Sequence, residues 1–254
     1  MTPELVASPR NRRVQEAIKL HRARERAGSG CTLLEGPHLV AEAMRAGARF
    51  EHVFATPEDP LAEVARSRGI DVVIVSERVL QRLSTTESPQ SPAAVVEIPD
   101  PVIPESGHVI VCWGLGDPGN MGTLIRTAAA FGMGFAVGPG CVDPWSPKVL
   151  RAAAGGHFRT CVGSVADLSG LGGRLLVATV ARGGMPPGRL DAGRDSAVLV
   201  GDEAHGLPDE VVAAADVAVT IPMPGGMESL NAAVAGAIVA FALAGHDETG
   251  GRSL

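Results

Sequence analysis

Residues 109–132 read VIVCWGLGDPGNMGTLIRTAAAFG, and the architecture of the chain follows from that stretch. Val109 to Trp113 is a short, continuously apolar run, the pattern of a strand buried on both faces. Gly114 to Gly119 breaks regular structure with three glycines and Pro118. Met121 to Phe131 then reads as a helix of Leu, Ile, Ala and Phe around one charge, Arg126. The alternation continues to the C-terminal end. Strands are expected at 135–137, 160–162, 175–180, 197–201 and 217–221, and helices at 147–154, 208–214 and 230–244. Continuous apolar strands between helices imply an α/β fold with a mostly parallel sheet covered on both faces.

The first half alternates as well. Ser8-Pro9 reads as an N-cap and first helical position, opening a helix to about Ala27. Strands are expected at 31–35, 50–55, 71–75 and 93–98, and helices at 37–46, 61–67 and from Ser76 to 83. PDPVIPESG, residues 99–107, holds three prolines and a glycine and reads as a linker. The expected organisation is a domain over 1–98, a linker over 99–107 and a second domain over 108–254.

Composition bounds the function. The 254 residues carry a net charge of -6, which argues against indiscriminate coating of nucleic acid. Residues 1–30 nevertheless hold seven basic against three acidic side chains, a local basic element suited to targeted contact. A solvated helix face explains that charge equally well. Tyr is absent and aromatics make up 3%, which disfavours single-strand binding by base stacking. MTPELVASPRNRR lacks the apolar core of a secretory signal, and the apolar stretch 230–244 is short for a membrane span. Cys31, Cys112, Cys141 and Cys161 form no CxxC pair and read as buried free thiols in a reducing cytoplasm, with no metal site.

Gly114-Leu115-Gly116-Asp117-Pro118-Gly119 matches GxGxxG after a strand and before a helix, with Asp143 in place for a ribose contact. Alone, that is the signature of an NAD-dependent oxidoreductase. Pro118 removes an N–H from the phosphate cradle, however, and the match lies mid-chain. It also leaves two rich segments unexplained: LVGDEAHGLPDEV at 199–211 and IPMPGGMESLNAAVAGAIVAFAL at 221–243.

Those two segments, with DPGNMGTLIRTAAAFG at 117–132, closely resemble in order and spacing the three motifs of the SpoU/TrmH family of RNA ribose methyltransferases, within the SPOUT superfamily. EGPHLVAEA (35–43) and STTESPQSPAAVV (84–96) resemble that family's small α/β RNA-substrate-binding domain, so the likeness spans nearly the whole chain. The resemblance implies a SPOUT α/β domain with a deep trefoil knot near its C-terminus, against the general rarity of knots. It implies a homodimer that uses S-adenosylmethionine to methylate a ribose 2′-hydroxyl, a group only RNA offers.

The resemblance also implies the site. Arg126, Asn120, Glu203, Ser229 and Asn231 match catalytic positions, and Thr179, Gly201, Ile221, Met223 and Leu230 match cofactor contacts. The family proposal makes the arginine a general base. A guanidinium holds its proton tightly, so gripping a phosphate and stabilising a developing alkoxide is an equally sound role for Arg126. Ser229 reads also as the N-cap of the last helix, and Gly201 as room for close approach to the cofactor. His205 is not a family catalytic position and reads as incidental. SPKVLRAAAGGHFR (146–159) also resembles a family segment. RNA contacts are expected from Lys148 and Arg151, and from Arg10, Arg12 and Arg13. The preferred target is 23S ribosomal RNA, ahead of transfer RNA; an inactive RNA-binding protein is a third reading. The chain is expected to work in the cytoplasm.

Overall fold

A computed structural model describes residues 5–245. Residues 1–4, which open the stretch read as no secretory signal, and 246–254 lie outside the described residues. The described residues divide into two compact units: 5–100 with 143–159, and 101–142 with 160–245.

The first unit begins with α1 (Arg12–Lys19), α2 (Ala23–Ser29), β1 (Cys31–Glu35) and α3 (Pro37–Arg45). It continues through β2 (Phe50–Ala55), α4 (Pro60–Ser67), β3 (Val72–Ile74), α5 (Glu77–Leu83) and β4 (Ala93–Glu97). The sheet order is β1-β4-β2-β3; only β2 and β3 run parallel. Its core joins Val14 and Ala17 of α1 to Leu33, Phe54, Val79 and Leu83. The single N-terminal helix expected from Ser8 is two helices, and its cap is Asn11, whose side chain accepts from Arg13 N at 2.9 Å. The break has tertiary causes. His21 bonds the carbonyl of Leu83 at 3.1 Å, and the carbonyl of Leu20 accepts from the buried Arg26 guanidinium at 2.6 Å.

The second unit contains β5 (Val109–Cys112), α6 (Pro118–Ala130) and β6 (Gly134–Val137). The chain then forms α7 (Pro147–Ala153) within the first unit, and returns for β7 (Val162–Ser164), β8 (Leu175–Thr179), β9 (Ser196–Val200), α8 (Asp209–Ala214), β10 (Val217–Val219) and α9 (Ala232–Leu243). The sheet order is β10-β8-β9-β5-β6-β7 and every pairing is parallel. Such a sheet needs cover on both faces, which explains why β5 and β9 are buried along their whole length. Residues 102–107 are irregular and lie against this unit: a Cβ on Gly163 would stand 2.5 Å from Ile103, and Arg174 Nε donates to the Gly107 carbonyl at 2.9 Å. The strand expected at 160–162 is shifted to Val162–Ser164 because Thr160 Oγ1 bonds the Met133 carbonyl at 2.5 Å.

Residues 143–159 are held in the first unit by charge and by shape. Asp143 accepts from Arg26, whose side chain is 4% exposed. Thr32 Oγ1 donates to the Trp145 carbonyl at 3.1 Å, and Arg159 Nε donates to Glu42 at 2.9 Å. Gly155 (φ +91°) passes so close to Glu42 that a Cβ would stand 2.7 Å from it. The four cysteines are free, but the expectation that they are buried holds for Cys112 alone; Cys161 is exposed. Burial pushes the Cys112 thiol well above its usual range. Among the described residues no helix is long and apolar enough to cross a membrane, and no His, Cys, Asp and Glu cluster could hold a metal.

Candidate active site

Ligands bind to open parallel sheets at the carboxyl ends of the strands, where loops leave the sheet and the strand order reverses. The second unit follows that rule. Beyond the ends of β8, β9 and β10 lies a cavity of about 600 Å³. Thr179, Gly201, Ile221, Met223 and Leu230, the five positions expected to contact cofactor, all line it, as do Glu203 and Ser229.

Each wall has a local cause. Beyond β9 the chain turns back on itself: Asp202 N donates to the Gly206 carbonyl and Gly206 N to the Asp202 carbonyl, at 3.2 and 2.9 Å. Gly206 makes the reversal at φ +69°. A Cβ on Gly201 would stand 2.2 Å from the Gly206 backbone, so the glycine expected to admit cofactor is required by the loop's own closure. Asp202 braces that loop. The Ala204 N–H donating to its carboxylate holds it below the usual range. At the β8 end, Thr179 Oγ1 donates to the Leu199 carbonyl at 2.9 Å.

The expected catalytic residues divide into two groups. At the start of α6, Asp117 caps the helix by accepting from Asn120 N at 2.7 Å, with Pro118 at the first position. The Asn120 side chain is held by two further bonds. Its amide donates to Glu203 Oε1, and its carbonyl oxygen accepts from Asn231 Nδ2 at 2.9 Å. Asn231 in turn accepts from Val234 N at 3.1 Å and is the N-cap of α9. The cap expected at Ser229 is therefore at Asn231, and α9 starts at Ala232. One chain of hydrogen bonds thus ties together residues 120, 203 and 231. Arg126 and Ser229 stand apart from it. Both are exposed, and neither side chain bonds to another described residue.

The helix behind the site is seated by a close approach. A Cβ on Gly236 would stand 2.6 Å from Leu124 and 3.0 Å from Val200. That brings α9 onto both α6 and β9, and so brings Asn231 to Asn120. Within the single chain α9 is not covered all round: Val234 and Phe241 are 46% and 52% exposed.

Sequence reasoning missed part of the wall. Arg182, Asp209 and Glu228 line the cavity, and so does His205, read as incidental. Their sequence signal is position, in the segments that follow β8, β9 and β10. The residues expected to touch RNA lie in the first unit. Arg10 and Lys148 are exposed, Arg12 pairs with Glu16 at 2.8 Å, and Arg13 pairs with Asp71 at 2.7 Å. Arg151 is turned inward, donating to Thr85 Oγ1 at 2.6 Å. Asp143, the ribose acid of the dinucleotide reading, is committed to Arg26.

A parallel α/β sheet with a polar-rimmed cavity at its strand ends defines a small-molecule-dependent α/β enzyme. Residues 107–241 match the SpoU rRNA Methylase family and residues 11–94 the MRM3-like substrate binding domain; the chain belongs to the SpoU family. It is 32% identical over 246 residues to the 23S rRNA (guanosine(2553)-2′-O)-methyltransferase RlmP of Bacillus subtilis, covering 94% of this chain and 99% of that one. An AdoMet-bound rRNA methyltransferase from Sinorhizobium meliloti superposes with a TM-score of 0.83 at 28% identity, covering 94% of this chain and 97% of the other. The SpoU methyltransferase AviRb from Streptomyces viridochromogenes, in complex with AdoMet, gives 0.82 at 25%, covering 92% and 97%.

Proposed function

We propose that this chain is an S-adenosylmethionine-dependent RNA methyltransferase that methylates a ribose 2′-hydroxyl in ribosomal RNA, with 23S RNA as the target. The observation that carries the reading is the convergence of three separate motifs on one place. A cavity walled by residues 199–211 and 221–230 adjoins the hydrogen-bonded chain Asn231–Asn120–Glu203. Its volume of about 600 Å³ suits a nucleoside-sized ligand. Asp202, Glu203, Asp209 and Glu228 give its wall an acidic balance against Arg182, which favours a cationic sulfonium.

Thr179, Gly201, Ile221, Met223 and Leu230 would hold the cofactor, which supplies an electrophilic methyl group when bound. The protein's part is to place a ribose hydroxyl in line and to stabilise the charge that develops on it. Asn120, fixed at three atoms by Asp117, Glu203 and Asn231, is a rigid platform for that task. Arg126 serves as an electrophilic clamp on phosphate and alkoxide. Ser229, with no helix end to cap, has its hydroxyl available to ligand.

The assignment extends to an RNA-recruiting role for the first unit, which takes residues 143–159 besides the expected 1–98, a catalytic role for the rest of 108–254 after the 99–107 linker, and a cytoplasmic location. It also extends to the trefoil knot and the homodimer. The exposed apolar side chains Val234 and Phe241 on α9 support a partner surface there. Calorimetric titration tests the cofactor assignment. Micromolar binding of S-adenosylmethionine with no heat from NAD is expected, and binding of NAD alone would refute it.

A further inference from the structure

Three segments noted in the sequence take no part in the cavity of the second unit: 35–43, 84–96 and 146–159. In the first unit they meet. They wall a separate pocket of about 200 Å³, to which the first contributes Gly36, the second Ser88 and Gln90, and the third Arg151. The buried Leu80 and Ala93 supply apolar wall.

Glu35 organises this pocket. Its side chain is 7% exposed, and its oxygens accept from Ser84 Oγ at 2.6 Å, Thr85 N at 3.0 Å and Thr85 Oγ1 at 2.9 Å. Arg151 lies 3.6 Å away and donates to Thr85 Oγ1. The carboxylate and the guanidinium therefore compensate each other, and the 84–86 turn is held against β1. Gln90 and Ser88 are different. Both are exposed, both line the pocket, and neither bonds to another described residue.

A charge-balanced slot with an apolar wall, a free amide and a free hydroxyl does not suit an anion, which needs uncompensated positive charge. It suits a small, flat, neutral group with donors and acceptors on one edge. The volume admits one such group rather than a drug-sized ligand. RNA is read in this way, by taking single unstacked bases and bonding their edges. We propose that this pocket receives one unstacked nucleobase of the RNA substrate, with Gln90 and Ser88 reading its edge. The proposal rests on the assignment of RNA as substrate.

The test uses the full chain with methyl-labelled Leu, Val and Ala, titrated with AMP, GMP, CMP, UMP and ribose 5-phosphate. At least one mononucleotide should shift the Leu80 and Ala93 methyl signals, ribose 5-phosphate should not, and the variant S88A/Q90A should abolish the shift. Shifts confined to Val200 and Val239, which report the other cavity, would overturn the proposal. So would equal shifts from ribose 5-phosphate, which would mark a phosphate site. In methyl transfer to 23S RNA, S88A/Q90A should raise KM for RNA about tenfold with kcat retained, and affinity for S-adenosylmethionine should stay unchanged. An unchanged KM overturns the pocket alone. A wild-type chain that binds cofactor but transfers no methyl to RNA overturns the reading beneath it as well.

Discussion

Charged and polar side chains are used in opposite ways in the interior of the first unit and around the cavity of the second. In the first, three buried ionic side chains are matched: Arg26 with Asp143, Glu42 with Arg45 and Arg159, Glu35 with hydroxyls and Arg151. In the second, the polar groups near the cavity stay close to solvent; the side chains of Ser229, on its wall, and of Arg126, on α6, have no bonding partner among the described residues. A buried charge with a fixed partner holds architecture, because losing the partner leaves a desolvated ion. An exposed polar group without a partner is available for a substrate. The two kinds of site should therefore respond oppositely to mutation, one in stability and the other in turnover.

The largest effect is expected at Arg26. Arg26→Ala leaves Asp143 without its cation and the Leu20 carbonyl without its donor, and should cost about 3–5 kcal/mol in urea unfolding. Arg26→Met, which keeps the volume, should recover much of that loss. Next is Arg126→Ala. It should lower kcat about 10²–10³-fold with cofactor affinity and melting temperature unchanged. Equal loss of stability would erase the contrast between the units.

A third test uses pH. His157 is fully buried beside Trp145, its Nε2–H donates to the Pro144 carbonyl at 2.7 Å, and its Nδ1 faces no partner. Burial pushes its pKa from 6.5 to about 4. The unfolded chain thus binds the proton more readily between those values. The stabilisation is fully present above pH 6.5 and is lost as pH falls toward 4, by as much as about 3 kcal/mol. Urea midpoints at pH 7 and pH 4.5 should differ accordingly, and His157→Gln should flatten the dependence. The smallest expected effect is at Asn231, which serves both purposes. Asn231→Ala should cost about 1 kcal/mol as a lost cap. It should also lower kcat, since Asn120 loses a bond; Asn231→Asp, which keeps the cap oxygen, should restore the stability and not the rate.

The sheet of the second unit was legible because its strands are unbroken apolar runs, Val109–Cys112 and Ser196–Val200 above all. That Thr179, Gly201, Ile221, Met223 and Leu230 share one cavity was legible because they fall at strand ends or in the segments that follow. Three features were not legible, each for a physical reason. Nothing between Leu20 and Arg22 breaks a helix locally; the break comes from bonds to Leu83 and Arg26. Ser229 and Asn231 are equally good caps by chemistry, and only the bond to Asn120 decides for the second. Asp143 stood at the spacing of a ribose acid, while its partner lies 117 residues earlier in the chain.

The central claim is transfer of a methyl group to a ribose oxygen, and alkaline hydrolysis after labelling tests it most directly. Ribosomal RNA lacking its own 2′-O-methyl groups would be incubated with the protein and S-adenosylmethionine labelled on the methyl carbon. A 2′-O-methyl group blocks cleavage of the adjacent phosphodiester, so the label should remain in alkali-resistant dinucleotides. Label released in mononucleotides would mean methylation of a base and would contradict the account.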